Sequence, residues 1–192
     1  MTMAAYINGV WQSKGTDTLK VISPADGELV ARYPFNPEHS FDAIKAARQA
    51  FPEWARLGLE GRTPHLRRLQ AALAKRKDAI ARQISLETGK PLWESHGEAG
   101  ALAPRVDLVL GPIAKDISDL VLPDDAGRAC HLPLGTIAIL GPFNFPAHLA
   151  NGQILPALAA GNTVILKPSE KAPGVARIYT EAFVEAELPP GV

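Results

Sequence analysis

The sequence predicts an α/β chain in which short antiparallel strands come first, helices follow, and a parallel strand-helix-strand-helix unit closes the order. Three observations predict it. Residues 4 to 35 alternate brief apolar runs with the turn pairs Asn8-Gly9, Lys14-Gly15 and Asp26-Gly27, the punctuation of small antiparallel strands. From Phe41 to Ile84 apolar residues recur at helical spacing. The apolar runs Thr136 to Leu140 and Asn162 to Leu166 flank the Ala-rich stretch Ala147 to Ala160, which reads as two buried strands joined by a helix.

Each element has a local reason. Asn36-Pro37-Glu38 opens the first helix with proline in its first turn. Phe41, Ile44, Ala47, Phe51 and Trp54 share its spacing, and Pro52 is expected to kink or end it. Thr63-Pro64 starts a second helix with Leu66, Leu69, Leu73, Ile80 and Ile84 on one face. Gly89-Lys90-Pro91 stops that helix. A third helical stretch, Leu92 to Leu120, carries Pro104 and Gly111-Pro112 and should be irregular. Pro123 to Gly127 reads as a turn and Arg128 to Leu134 as an exposed strand. A last helix spans Val175 to Glu187, with Ile178, Phe183 and Val184 on its packing side. A third parallel strand should follow it, so the chain reads as a fragment of a larger sheet.

Composition narrows the function classes. The chain has 192 residues, in which 20 basic and 20 acidic side chains cancel, so net charge predicts attraction to neither nucleic acid nor an anionic membrane. Arg67, Arg68, Lys75, Arg76 and Lys77 cluster on the second helix, but a solvated outer face explains them better than nucleic-acid binding does. One cysteine, Cys130, excludes an internal disulfide framework. No apolar window reaches the length of a membrane span, and Met1 to Trp11 lacks the basic and apolar regions of a secretory leader. A soluble cytoplasmic protein without a metal centre is expected.

The densest motifs are Leu140-Gly141-Pro142-Phe143-Asn144-Phe145-Pro146 and Lys167-Pro168-Ser169-Glu170. Each follows a predicted parallel strand, and ligands of such sheets sit outside the carboxyl ends of the strands. An amide, a cation and a carboxylate should therefore face one crevice. With Ala160-Gly161-Asn162 between them, these motifs resemble the aldehyde dehydrogenase superfamily. Tyr6 to Gly9, Pro24 to Gly27, the helix from Ala46 to Trp54 and Glu87-Thr88-Gly89-Lys90-Pro91 extend the likeness over nearly the whole chain. Glu87 to Ser95 and Phe145 to Gly152 are similar to the succinylglutamate semialdehyde dehydrogenase branch of arginine breakdown, whereas Ala99 to Arg128 departs from it.

The resemblance implies a partial Rossmann-like parallel sheet, incomplete at the C-terminus. It divides the chain into a helical and small-strand part over 1–118, an oligomerisation arm over 119–134, and the first part of the NAD-binding sheet over 135–192. It implies an NAD-dependent oxidation of a small aldehyde to its acid, by a homo-oligomer when full length. Asn144 would hold the oxygen of the tetrahedral adduct, a task suited to a neutral donor that need not titrate. The plain alternative is a turn Asn capping the next helix. Lys167, Pro168, Ser169 and Glu170 would hold the adenosine ribose, with Glu170 favouring NAD over NADP because a 2′-phosphate would crowd its charge. The plain alternative is a surface ion pair. Leu140, Gly141, Pro142 and Phe143 would form a backbone wall beside the nicotinamide ribose. Phe145, His148 and Leu149 share a helical face and match the substrate tunnel, made more polar by His148 and Asn151.

Such enzymes run to roughly two to three times this length at usual domain sizes. Their nucleophilic Cys and general-base Glu lie beyond this stretch, so the chain alone is expected to be inactive. Cys130 reads as a structural or exposed thiol. A non-catalytic nucleotide-binding or interaction module is the rival reading, and a nonfunctional truncation product a third.

Overall fold

The computed structural model describes residues 5–116 and 118–192. Met1 to Ala4 and Ile117, which belong to the predicted leader-free start and the third helical stretch, lie outside the described residues. The opening turns are used as expected. β1 (Ala5–Ile7) pairs antiparallel with β2 (Val10–Gln12), and β3 (Asp17–Ile22) with β4 (Leu29–Phe35). Asn8 and Gly9 both take positive φ between the first two strands, the geometry for which Asn-Gly is selected.

A run of helices builds the body. α1 (His39–Arg56) runs through Pro52 rather than ending there. Pro52 lies on the exposed side, where water can satisfy the carbonyl it leaves unpaired. Its buried residues are Ala46, Ala47 and Trp54, whereas Phe41 and Ile44 are exposed. α2 (Gly58–Lys75) starts five residues before the expected Thr63, takes Pro64 within its first turns, and breaks at Arg76. The single predicted helix is thus two, α2 and α3 (Lys77–Thr88), with Leu66, Leu69 and Leu73 on the first and Ile80 and Ile84 on the second, all in one core. Gly89 ends α3 in the left-handed region at φ 71°. The third stretch is α4 (Leu92–Gly100), α5 (Arg105–Leu108), a π turn Val109–Ile113 around Pro112, and α6 (Ala114–Asp116).

β5 (Leu120–Val121) pairs antiparallel with β6 (Arg128–Ala129) across a 3-10 turn at Pro123–Asp125. The strand predicted over Arg128 to Leu134 therefore covers two residues only, and Cys130 and His131 lie outside it. Beyond β6, Leu132 and Leu134 stand 82% and 91% exposed.

β7 (Thr136–Leu140), α7 (His148–Ala159), β8 (Thr163–Lys167) and α8 (Pro173–Glu185) complete the described order. β7 and β8 are parallel, Thr136 opposite Thr163 through Leu140 opposite Lys167. Ile137, Ile139, Val164 and Leu166 enter the main core with Leu155 and Leu158 of α7 and Val175, Ile178 and Tyr179 of α8. The other face turns to α1, where the Thr163 hydroxyl donates to the Ala47 carbonyl at 3.0 Å. Val184, expected on the packing side of α8, is 39% exposed. The Val164 N–H donates to the Val192 carbonyl at 2.9 Å, so the chain after α8 returns along β8, where the third parallel strand was expected.

A buried arginine ties this unit to the helices. Arg62 donates through Nε to the Ala159 carbonyl at 3.1 Å, and through Nη1 to the carbonyls of Trp54 and Ala55. It closes over Gly161, where a Cβ would stand 2.8 Å from Nη1. Next to it, the Asn162 Oδ1 accepts from the amides of Leu134 and Gly135 at 2.7 and 3.1 Å. The Ala160-Gly161-Asn162 motif is explained by these contacts: glycine for the guanidinium's approach, asparagine to anchor the start of β7.

Candidate active site

The two motif segments meet at the carboxyl ends of β7 and β8. The Gly141 N–H donates to the Lys167 carbonyl at 2.9 Å, one step past the last paired residues. A Cβ on Gly141 would lie 3.4 Å from the Pro168 Cα, so the small residue lets the two segments touch. Leu140 and Phe143 are largely exposed beside this junction, and Lys171 Nζ stands 4.5 Å over the Phe143 ring. Gly141 and Pro142 are half-buried. The result is an open apolar ledge with polar groups at one end.

Lys167 and Glu170 form an exposed ion pair at 3.4 Å. The Glu170 carboxyl is held below its ordinary range by its own backbone amide first and by Lys167 second, so it is an acceptor-only group at neutral pH. Ser169 is buried, its hydroxyl accepting from the Lys171 amide at 3.2 Å, and it shapes the turn instead of reaching outward. Pro168 is half-buried beneath the pair. An acceptor-only carboxylate and an exposed ammonium thus stand side by side next to an apolar ledge.

Asn144 is exposed at the end of the turn after β7. It does not cap α7, whose start has no side-chain capping bond from its own N-cap residue. A residue 49 positions earlier takes that place: Glu98 Oε1 accepts from the amides of Ala147 and His148 at 3.1 and 3.2 Å. Glu98 Oε2 accepts from Lys90 Nζ at 2.8 Å. The same ammonium donates to the Asn144 carbonyl at 2.9 Å and lies 3.9 Å over the Phe145 ring. Lys90 and Glu98 thus clamp the Asn144 turn from beneath, with the Glu98 side chain fully buried.

The other strand end is held in the same way. Glu87 accepts from the amides of Gly174 and Val175, both at 2.9 Å, at the start of α8. Burial pushes its carboxyl above the ordinary value, against the opposing pull of those amides. Two acids from the helices therefore satisfy the first N–H groups of α7 and α8, the helix ends that follow the two motifs. The sequence shows Glu87-Thr88-Gly89-Lys90 as a helix stop and nothing more. An acid outside the capping position leaves no local signal that it caps a helix far along the chain.

Phe145 and His148 pack together at the start of α7, with Leu149 the next residue along the helix. The rings of Phe145 and His148 are 6.3 Å apart, and Phe145 and Leu149 are partly exposed. Asn151 does not join them. It is fully buried, donating to the Leu102 carbonyl at 3.1 Å and accepting from the Tyr179 hydroxyl at 2.8 Å. Its polarity belongs to the core, because position 151 falls on the face of α7 that meets α8. Cys130 is exposed beside β6. Among the described residues no group of three or more His, Cys, Asp or Glu is placed to hold a metal ion, and no helix is long and apolar enough to cross a membrane.

Comparison with known proteins bears on the fold and the family. The chain is 40% identical over 190 residues to N-succinylglutamate 5-semialdehyde dehydrogenase of Burkholderia mallei, spanning 97% of this chain and 39% of that relative. Among solved structures, lactaldehyde dehydrogenase from Escherichia coli superposes with a TM-score of 0.91 at 29% identity, over all of this chain and 41% of that one. An NADP-dependent glyceraldehyde-3-phosphate dehydrogenase from Bacillus halodurans, complexed with NADP, gives 0.88 at 27% identity, over all of this chain and 42% of that one. The α/β fold described above is thus the amino-terminal part of theirs. The model of the aldehyde dehydrogenase family matches residues 11–192, and the chain belongs to that family.

Proposed function

We propose that this chain provides the oxyanion-stabilising turn and half of the cofactor crevice of an NAD-dependent dehydrogenase. Its substrate would be a carboxylated semialdehyde such as N-succinylglutamate 5-semialdehyde, oxidised to the corresponding acid. The observation that carries the reading is the junction of the two motifs, where the Gly141 N–H to Lys167 carbonyl bond brings Asn144 and the Lys167–Glu170 pair to neighbouring strand ends. Lys167 and Glu170 bind and orient the adenosine ribose, and Leu140 to Phe143 form the wall along which the dinucleotide lies. Bound there, the nicotinamide supplies the hydride acceptor. Asn144 donates its side-chain amide to the substrate oxygen as negative charge gathers on it. Losing one such donor typically costs about a hundredfold or more in rate. Phe145, His148 and Leu149 border the aldehyde.

Glu170 is the reason to prefer NAD, although an NADP complex exists among the similar structures. A carboxylate accepts well from two ribose hydroxyls and poorly tolerates a 2′-phosphate. The residues 119–134 serve as the arm through which subunits pair, consistent with exposed Leu120, Val121, Leu132 and Leu134. The thiol expected to attack the aldehyde is not Cys130, which lies exposed beside β6, so these 192 residues alone should bind cofactor without oxidising aldehydes.

Calorimetry with NAD and NADP on the chain, its Lys167→Ala variant and its Glu170→Ala variant tests the assignment. NAD binding weakened by both substitutions, with Glu170→Ala narrowing the gap to NADP, is expected. A folded chain that binds neither dinucleotide, or binds both regardless of the substitutions, refutes it. Aldehyde-dependent NADH formation by the chain alone refutes the predicted inactivity.

A further inference from the structure

A cavity of about 400 Å³ opens between α5 and α7, lined by Ala101, Pro104, Arg105, Asp107, Leu108 and His148. Two nitrogens on these lining residues are buried without a hydrogen-bond partner, Nε of Arg105 and Nδ1 of His148. Buried polar atoms are rarely left unpaired in native chains, so the Arg105 and His148 side chains beside this cavity keep hydrogen-bonding capacity that the protein itself does not use. The Arg105 guanidinium rests against α7 because Gly152 carries no side chain. A Cβ there would stand 3.4 Å from Nη2 and 3.8 Å from Cζ.

The charge of Arg105 is not spent inside the protein. None of the ion pairs among the described residues uses it. Asp107 is the acid in the cavity wall, and both its oxygens are engaged, one by Arg67 and the other by Gln70 at 2.7 Å. Those partners hold its carboxyl below the ordinary range. Ala101, Pro104 and Leu108 make the rest of the wall apolar, and the ring of His148 packs edge-on to Phe145 in the turn that carries Asn144.

We infer that Arg105, assisted by His148, receives the carboxylate at the far end of the substrate aldehyde, an assignment that rests on reading Asn144 as the oxyanion donor. A guanidinium is planar and matches a carboxylate with two parallel N–H bonds, which a neutral acceptor cannot exploit equally. His148 Nδ1 adds a third donor when protonated at that position. The aliphatic part of the substrate would then lie along Phe145 and Leu149, with the aldehyde at Asn144. Arg105 selects acid-bearing aldehydes over neutral ones of the same length.

The test is a nitrogen-15 NMR titration of the 192-residue chain with succinate, and in parallel with the neutral isostere succinamide. The expected result is a saturable shift of the Arg105 Nε–H signal with succinate and none with succinamide. Arg105→Gln should weaken succinate binding by about tenfold or more, and Arg105→Lys should retain part of it. An Nε–H signal in the parent chain that ignores succinate, or moves equally with succinamide, overturns the assignment. So does an Arg105→Gln chain that binds succinate as the parent does. NAD added to the same samples separates the two readings. NAD binding without a succinate response removes the carboxylate site alone, whereas a succinate response without NAD binding removes the cofactor assignment alone.

Discussion

The ammonium of Lys90 donates to the backbone carbonyl of Asn144 at 2.9 Å while also pairing with the buried Glu98 at 2.8 Å. One cation thereby fixes both the carbonyl of the proposed oxyanion donor and the acid that satisfies the first amides of α7. The turn between β7 and α7 is held from both of its ends. A donor that must meet developing charge without reorganising benefits from such fixing.

Replacing Lys90 by Met should leave the Glu98 charge without its ion-pair partner in a fully buried site. Removing one member of a buried pair costs about 3 kcal/mol or more, to be read as a lower urea midpoint. Amide exchange at Ala147 and His148 should accelerate in the same variant. The Lys90→Met, Glu98→Gln double variant should recover part of the loss, and additive effects of the two substitutions would disprove the coupling.

Arg62 and Gly161 should behave as a unit. Arg62→Ala strips three carbonyls of charged donors and should cost about 3 kcal/mol. Gly161→Ala meets a φ of 94° and a guanidinium nitrogen 2.8 Å from the new Cβ. It should cost about 2 kcal/mol in strain. Because the second clash is with Arg62 itself, the combined variant should be more stable than the sum implies, as measured by chemical denaturation.

Glu87 predicts a pH dependence of stability with a definite sign. Its folded carboxyl titrates above the ordinary 4.5, chiefly through burial. Between the unfolded and the folded value the native state therefore binds more protons, so the contribution of Glu87 is fully present below about 4.5 and is lost as pH rises through the folded value. Glu87→Gln, which keeps one acceptor for two amides, should be less stable than the parent at every pH. The deficit should shrink as pH rises through that window. A deficit that grows instead would reverse the assigned shift.

Tyr179→Phe should leave Asn151 Oδ1 buried without its donor at 2.8 Å. The expected loss is about 1–3 kcal/mol, seen as a lower thermal midpoint, with NAD binding retained because neither residue reaches the ledge at Leu140 to Phe143. Loss of NAD binding by a folded Tyr179→Phe chain would overturn the assignment of this pair to the core alone.

Local chemistry made several features readable along the chain. Gly89 stops α3 because only a residue tolerant of φ 71° ends a helix that way, and Asn8-Gly9 turns a hairpin for a similar reason. The apolar runs at β7 and β8 read as parallel strands and located Asn144 and Lys167 to Glu170 at their carboxyl ends, although only Ile139 and Thr163 of these strands are buried and Leu140 is 74% exposed. What the sequence could not disclose depends on residues far apart in the chain. The break at Arg76 and the passage of α1 through Pro52, on the exposed side of that helix, are not decided by either residue's local preference. Asn151 is a core residue because α8 happens to bring Tyr179 against it. Glu87 caps α8, Glu98 caps α7 and Lys90 holds Asn144 across separations of 87, 49 and 54 residues. A charged side chain in a helix carries no mark of the distant amide it will meet, because only the closed core removes the water that would otherwise satisfy it.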